Sequence, residues 1–146
     1  MEHAQELKIF ENYLAEKNMR LTHPRKVILQ VLLQSESHMD VEELYEKAKK
    51  VDKNVGISTV YRAMNILVEC GLAQENILFE DKKCYERVYG RSHHDHLVCT
   101  RCKKIEEFHH PMIERFQEKT AKKHQFTIIS HHMTLFGVCQ NCNCNI

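Results

Sequence analysis

The chain lacks a dominant charge: 21 Lys and Arg side chains nearly cancel 20 Asp and Glu. Global charge therefore points to neither nucleic acid nor a membrane surface. The first 83 residues hold 12 basic and 14 acidic side chains, so any contact with DNA must come from a local patch. No apolar run approaches the roughly 20 residues that span a bilayer, and there is no internal repeat or low-complexity tract. The opening residues M-E-H-A-Q-E-L-K have neither the basic nor the apolar segment of a signal peptide. A cytoplasmic location without a membrane partner is the expectation, and in that compartment thiols stay reduced. No H-E-x-x-H or other hydrolase motif occurs. A metal-dependent hydrolase activating water at a His/Asp cluster is thus a rival reading without a supporting motif.

Against these absences stand seven cysteines and eleven histidines in 146 residues. In a reducing compartment that combination suggests metal before disulfides.

The apolar spacing of Leu7, Phe10 and Leu14 predicts a helix over residues 4–17. A second should open at Thr22 as N-cap, with Pro24 in its first turn and Val27, Ile28, Val31 and Leu32 as its apolar stripe. Asp40 and Glu43 form a capping-box pair for a third helix through Lys50. Ser58 is expected to cap a fourth, with Ile57 as a staple and Gly71 as its stop. Residues 72–79 and 84–88 then flank the polar turn Glu80-Asp81-Lys82-Lys83 as a β-hairpin. Helices followed by a hairpin fit a winged helix-turn-helix, placed at residues 1–88. Gly90-Arg91-Ser92 suggests a hinge over 89–92. Residues 93–146 read as a small α/β domain, with strands at 95–99, 104–109 and 126–138 and a helix from Pro111 to about Lys123. The fold class is α+β. A unit of this size builds little core alone and needs a metal staple or a partner chain.

Cys99-Thr-Arg-Cys102 and Cys139-Gln-Asn-Cys142 are two C-x-x-C knuckles. Four thiolates close a tetrahedral shell around Zn2+ and leave no open position for chemistry. One such pair would suit a redox dithiol equally well, whereas two favour structural zinc. Cys144 could replace Cys142 or be a spare thiol. Cys70 and Cys84 read as core or surface residues.

In S-H-H-D-H-L-V-C-T-R-C, residues 92–102, three histidines and an aspartate lie within four positions. Side chains alternate along a strand, so His94 and His96 share one face and His93 and Asp95 the other. The same rule separates Glu106 from Glu107 and His131 from His132. One tetrapeptide should therefore feed two sites, apart from the cysteine site. Imidazole mixed with carboxylate suits Fe2+, Mn2+, Zn2+, Co2+ or Ni2+ and binds more reversibly than four thiolates. An isolated histidine is more often a solvated surface group; His3, near the terminus, reads that way, and His109, His110 and His124 are left unassigned.

H-H-D-H-L-V-C-T-R-C, G-I-S-T-V-Y-R, R-L-T-H-P-R and F-G-V-C-Q-N-C together resemble the ferric-uptake-regulator (Fur) family of metal-dependent transcriptional repressors. They cover nearly the whole chain in the family's order. The resemblance implies a homodimer, with dimer versus tetramer open, and no enzyme activity. It implies a regulatory site of His38, Glu86, His94, His96 and Glu107. A second site, in the dimerisation domain, would use His93, Asp95, Glu114 and His131, and structural zinc would sit on Cys99, Cys102, Cys139 and Cys142. Fe2+ is the regulatory metal it implies first, with Mn2+, Zn2+ or Co2+ able to substitute. Control of iron uptake genes follows, the alternatives being a zinc, manganese or peroxide sensor. Peroxide-sensing members usually carry Asp where this chain has Glu107.

The helix opening at Ser58 should then be the recognition helix, its N-terminal half entering the major groove. Ser58 and Thr59 can donate to phosphate, Tyr61 can meet a thymine methyl, and Arg62 can reach phosphate or guanine. The family resemblance adds Arg20 as a probe of the minor groove. A dimer on an A·T-rich palindromic operator is the expected partner. Read without the family, Tyr61 could equally pack in the core and Arg62 merely be solvated.

Overall fold

The computed structural model describes residues 3–79 and 82–143. It divides into two units, Met1–Arg91 and Ser92–Ile146. The expected turn residues Glu80 and Asp81, and the open role of Cys144, lie outside the described residues.

The first unit begins with α1 (Ala4–Glu16), which buries Phe10 and Leu14, and α2 (His23–Gln34), which buries a face from Val27 to Leu33. Thr22 precedes α2 in extended geometry, but its side chain makes no capping hydrogen bond. The short strand β1 (Met39–Asp40) leads into α3 (Val41–Val51). Here the capping box forms: the Glu43 N–H donates to Asp40 Oδ1 at 2.8 Å, and the Asp40 N–H donates to Glu43 Oε2 at 3.0 Å. Lys82 from the hairpin adds ion pairs to Asp40 at 2.6 Å and Glu42 at 3.1 Å. Acidic groups at this end complement the helix dipole.

Helix α4 spans Ile57–Glu69. Gly56, not Ser58, is its N-cap. Ser58 is the second helical residue and Ile57 is exposed, so no staple forms. Gly56 adopts extended geometry and its carbonyl accepts from the Thr59 and Val60 amides. At the other end Gly71, with φ of 75°, lets Leu72 N–H reach Leu67 O and its own N–H reach Val68 O. This paired pattern is the Schellman stop, which a residue with a Cβ adopts only at a cost. Strands β2 (Ala73–Phe79) and β3 (Lys82–Arg87) follow as the hairpin, in a sheet ordered β1-β3-β2. Strand β3 starts at Lys82, earlier than the turn residues suggested. Phe10, Ile28, Leu44, Met64, Leu67 and Tyr85 form the centre of one core. Four helices around one core, with a hairpin wing, make this unit a winged helix.

The second unit pairs β4 (Asp95–Cys99) antiparallel with β5 (Ile105–Phe108) and parallel with β6 (Thr134–Gly137), in the order β5-β4-β6. Helix α5 (Pro111–Lys123) lies between β5 and β6, and a short α6 (Gln140–Asn143) follows. The strand expected over 126–138 is confined to Thr134–Gly137. Phe126 is 73% exposed and Ile129 97%, so this stretch finds no sheet to pair with inside its own unit. Helix α5 buries no residue fully. Among the described residues of this unit, Val98 and Cys99 are the buried apolar side chains, beside Asp95 and His96. So small a core leaves metal and a partner surface to supply the missing stabilisation.

Candidate metal centres and nucleic-acid interface

Strands β4 and β6 end side by side, with Cys99 in register with Gly137. That register carries each C-x-x-C knuckle to the same edge. Cys102 Sγ lies 3.6 Å from Cys139 Sγ, and one sulfur from each of Cys99, Cys102, Cys139 and Cys142 falls within 4.8 Å of the others. Sulfurs held tetrahedrally at about 2.3 Å from Zn2+ would stand roughly 3.8 Å apart. The backbone N–H of Cys139 donates to Cys99 Sγ at 3.3 Å and that of Cys102 at 3.5 Å. These amides hold the Cys99 thiol down to about 6. Cys142 is pushed up to about 12, first by its hydrogen bond with Cys102 and then by that with Cys139. One thiolate is favoured and a further one is resisted, which is the behaviour of a sulfur cage that needs a cation to complete it. The residues fit structural zinc.

The second cluster gathers at the leading end of β4. His93 Nε2 is 3.4 Å from Asp95 Oδ1 and 3.5 Å from Glu114 Oε1. His131 Nε2 is 3.7 Å from that Asp95 oxygen and 3.5 Å from that Glu114 oxygen. Ligands about 2.1 Å from a tetrahedral ion stand about 3.4 Å apart, so these four separations are those of a coordination shell. Asp95 is 1% exposed. Both its oxygens, Glu114 Oε1 and His131 Nε2 are buried without a hydrogen-bond partner, because the contacts are too long or oblique to be hydrogen bonds. Buried polar atoms rarely stay unsatisfied. Asp95 Oδ1, Glu114 Oε1 and His131 Nε2, drawn together with His93 Nε2, fit a divalent cation.

The five residues of the expected regulatory site fall into one group in each unit. In the first, His38 Nε2 lies 3.3 Å from Glu86 Oε1, and both side chains are buried. The Asn76 amide donates to the same oxygen at 2.8 Å, and Arg91 Nη1 lies 3.3 Å from Glu86 Oε2. In the second, β4/β5 pairing sets His96 opposite Glu107. The rings of His94 and His96 meet edge to face with centroids 5.1 Å apart, and His94 Nε2 is 3.7 Å from Glu107 Oε1. His93 and His94 precede the first residue of β4, yet the alternation between faces runs through them: His94 accompanies His96, and His93 accompanies Asp95.

On the first unit, Ser58, Tyr61 and Arg62 are exposed along one side of α4, and Thr59 is half-buried. Tyr61 and Arg62 therefore point away from the core. Met19, Arg20, Thr22, Arg25, Thr59 and Arg62 line one surface hollow. Arg25 donates to the Arg20 carbonyl at 2.6 Å, which fixes the backbone that carries the exposed Arg20. Sequence reasoning did not single out Arg25, although it closes the R-L-T-H-P-R motif. Three guanidiniums around this hollow give a local positive patch on a chain with almost no net charge.

Comparison with known proteins follows the same lines. Residues 16–136 match the family model for the Ferric uptake regulator family. A ferric uptake regulation protein of Campylobacter upsaliensis is 40% identical over 139 residues, 94% of this chain and 88% of the relative. The solved Helicobacter pylori ferric uptake regulator, described as having three functional metal-binding sites, superposes with a TM-score of 0.83 at 32% identity, covering 94% of this chain and 91% of that one. The Campylobacter jejuni peroxide stress regulator superposes at 0.69 with 28% identity, over 97% and 100% of the two chains. Among the described residues, no helix is long and apolar enough to cross a membrane.

Proposed function

The chain belongs to the ferric uptake regulator family, and on that premise we propose that it is an iron-responsive repressor whose winged helices are set for DNA by a cation held across its two units. Members of the family are DNA-binding, dimeric transcription regulators and not enzymes, which removes the hydrolase reading. Family members are metal-responsive, and the open questions are which ion and which ligands.

His38 and Glu86 are the ligands offered by the winged helix, and His94, His96 and Glu107 those of the second unit. The observation that carries this reading is the presence in each unit of a half-assembled His/carboxylate set, at 3.3 Å and 3.7 Å. The winged helix offers two ligands and the second unit three, and together they make a five-ligand nitrogen and oxygen site. Such a set suits Fe2+ and also admits Mn2+, Zn2+ and Co2+. The relatives' names favour iron, and Glu107 sets the chain apart from peroxide-sensing members. Cys99, Cys102, Cys139 and Cys142 would hold zinc as the staple of the second unit. His93, Asp95, Glu114 and His131 would form a further, exchangeable site.

Before the ligands close, the winged helix is free to turn about residues 89–92. Closure fixes its position, so that in a dimer the two α4 helices face successive half-sites of an A·T-rich palindrome. Ser58, Thr59, Tyr61, Arg62 and Arg20 would contact the duplex. Moving the equilibrium from mostly inactive to mostly active needs a differential affinity of about 5.5 kcal/mol, within reach of ligands that only one arrangement unites.

The test is an anaerobic gel shift on an A·T-rich palindrome, with Fe2+, Mn2+, Zn2+ and Co2+ added separately. Iron should give the largest gain in affinity, and His94→Ala with His96→Ala should abolish it without unfolding the chain. Unchanged metal dependence in the double variant overturns the gating.

A further inference from the structure

Glu86 presents a problem that the ligand assignment leaves open. Its carboxylate is 2% exposed, and a buried charge of that kind needs a counter-charge whether or not a metal is present. Its two oxygens have different neighbours. Oε1 faces His38 Nε2 at 3.3 Å and accepts from Asn76 Nδ2 at 2.8 Å. Oε2 faces Arg91 Nη1 at 3.3 Å. Asn76, itself buried, is further tied by the Gln74 amide, which donates to its Oδ1 at 3.0 Å. Asn76 therefore holds the carboxylate in one orientation, with Oε1 toward the histidine and Oε2 toward the guanidinium.

Arg91 is the last residue of the first unit, and Gly90 before it has φ of 74°. The turn at Gly90, closed by the Arg91 N–H donating to Val88 O at 3.0 Å, brings the arginine back over the end of β3. A guanidinium beside Glu86 supplies the charge that a divalent ion would otherwise supply. Two cations at one carboxylate repel each other, and around a buried carboxylate that repulsion is weakly screened.

We infer that Arg91 is a built-in competitor of the regulatory cation at Glu86. It stabilises the metal-free winged helix and raises the metal concentration at which the ligands close. The inference rests on the reading of His38 and Glu86 as ligands. It assigns Arg91 to the setting of the response threshold and Asn76 to the aiming of the carboxylate.

The full-length, zinc-loaded chain carrying Asp95→Asn, which silences the other His/carboxylate cluster, is titrated with Mn2+ by calorimetry. In that background Arg91→Gln should bind Mn2+ more tightly, on the order of tenfold, and Arg91→Lys should stay near the parent. Glu86→Gln should weaken binding. If Glu86→Gln leaves affinity unchanged, the ligand reading itself falls. If Glu86→Gln weakens binding while Arg91→Gln binds equally or less tightly, the competitor role alone is overturned. A metal-free readout comes from urea unfolding followed by tyrosine fluorescence. Arg91→Gln should lower the midpoint, and adding Glu86→Gln should recover it. A midpoint that Arg91→Gln leaves unmoved also overturns the inference.

Discussion

Replacing Asp95 by asparagine separates two roles that one carboxylate can play. Asp95 is 1% exposed, and both its oxygens lack a hydrogen bond. In the metal-free protein such a group destabilises the second unit, by about 1–3 kcal/mol for an unsatisfied buried acceptor. Asparagine removes the charge and adds an N–H that can donate toward Glu114 Oε1. The variant should therefore be the more stable of the two when the cluster is empty. With Mn2+ present at about a hundred times its dissociation constant, the parent gains about 2.7 kcal/mol and the variant does not. For a penalty near the middle of that range, about 2 kcal/mol, the order of stabilities reverses. All five tyrosines lie at or before residue 89, so they report on the first unit. The assay is accordingly amide hydrogen exchange of peptides spanning β4 and β6, at fixed zinc content, with and without Mn2+. An asparagine variant less protected than the parent by the same margin in both conditions would refute the reasoning, since it would make Asp95 a structural residue and the shell an accident of packing.

Three further outcomes follow from the structure. Burial, and then the nearby Glu75, raise the Tyr85 hydroxyl from 10 to about 12; the folded form thus holds its proton more firmly than the unfolded chain does. Its contribution is complete below about pH 10 and is lost as pH rises through about 12, so the urea midpoint of the first unit should fall across that range and Tyr85→Phe should flatten the slope. Ile129→Asp and Phe126→Ser, at side chains 97% and 73% exposed in the monomer, should weaken the dimer in sedimentation equilibrium by about 1.5–3 kcal/mol each if the partner covers them. Arg62→Ala should either cost about 1–3 kcal/mol with relaxed preference at one base, or weaken all sequences alike and lower the salt slope by about one; undiminished DNA affinity would contradict the placement of α4 on the duplex.

Much of this was legible from residue order because short-range chemistry carried it. The Asp40/Glu43 box and the Gly71 stop are local, and each formed where the side chains predicted. The split between His94/His96 and His93/Asp95 is equally local, since it needs only the alternation of a strand. What sequence reasoning missed depended on partners distant in the chain. Strand β1 has two residues and exists because Met39 and Asp40 pair with Tyr85 and Cys84. Ser58 looked like a cap by type, yet the backbone turns one residue earlier, at Gly56. Phe126, Ile128 and Ile129 carried a strand-like apolar signal but remain exposed, so that signal reports a surface to be covered, not a sheet within the unit. Arg25 figured only as the end of the R-L-T-H-P-R motif, and Arg91 only as part of the expected hinge. Their meaning lies in the Arg20 carbonyl and the Glu86 carboxylate they reach.

The pairing of β4 with β6 has a consequence for biosynthesis. The winged helix is closed by contacts within the first 91 residues and can form while translation continues. A zinc cage built as proposed would join Cys99 and Cys102 to Cys139 and Cys142, so it could not close until the last of these had left the ribosome. A cell short of zinc would then accumulate chains with a finished DNA-reading half and an unfinished assembly half. Such chains would carry the arginine patch without the sulfur cage that staples the second unit, which should leave that unit open to proteolysis.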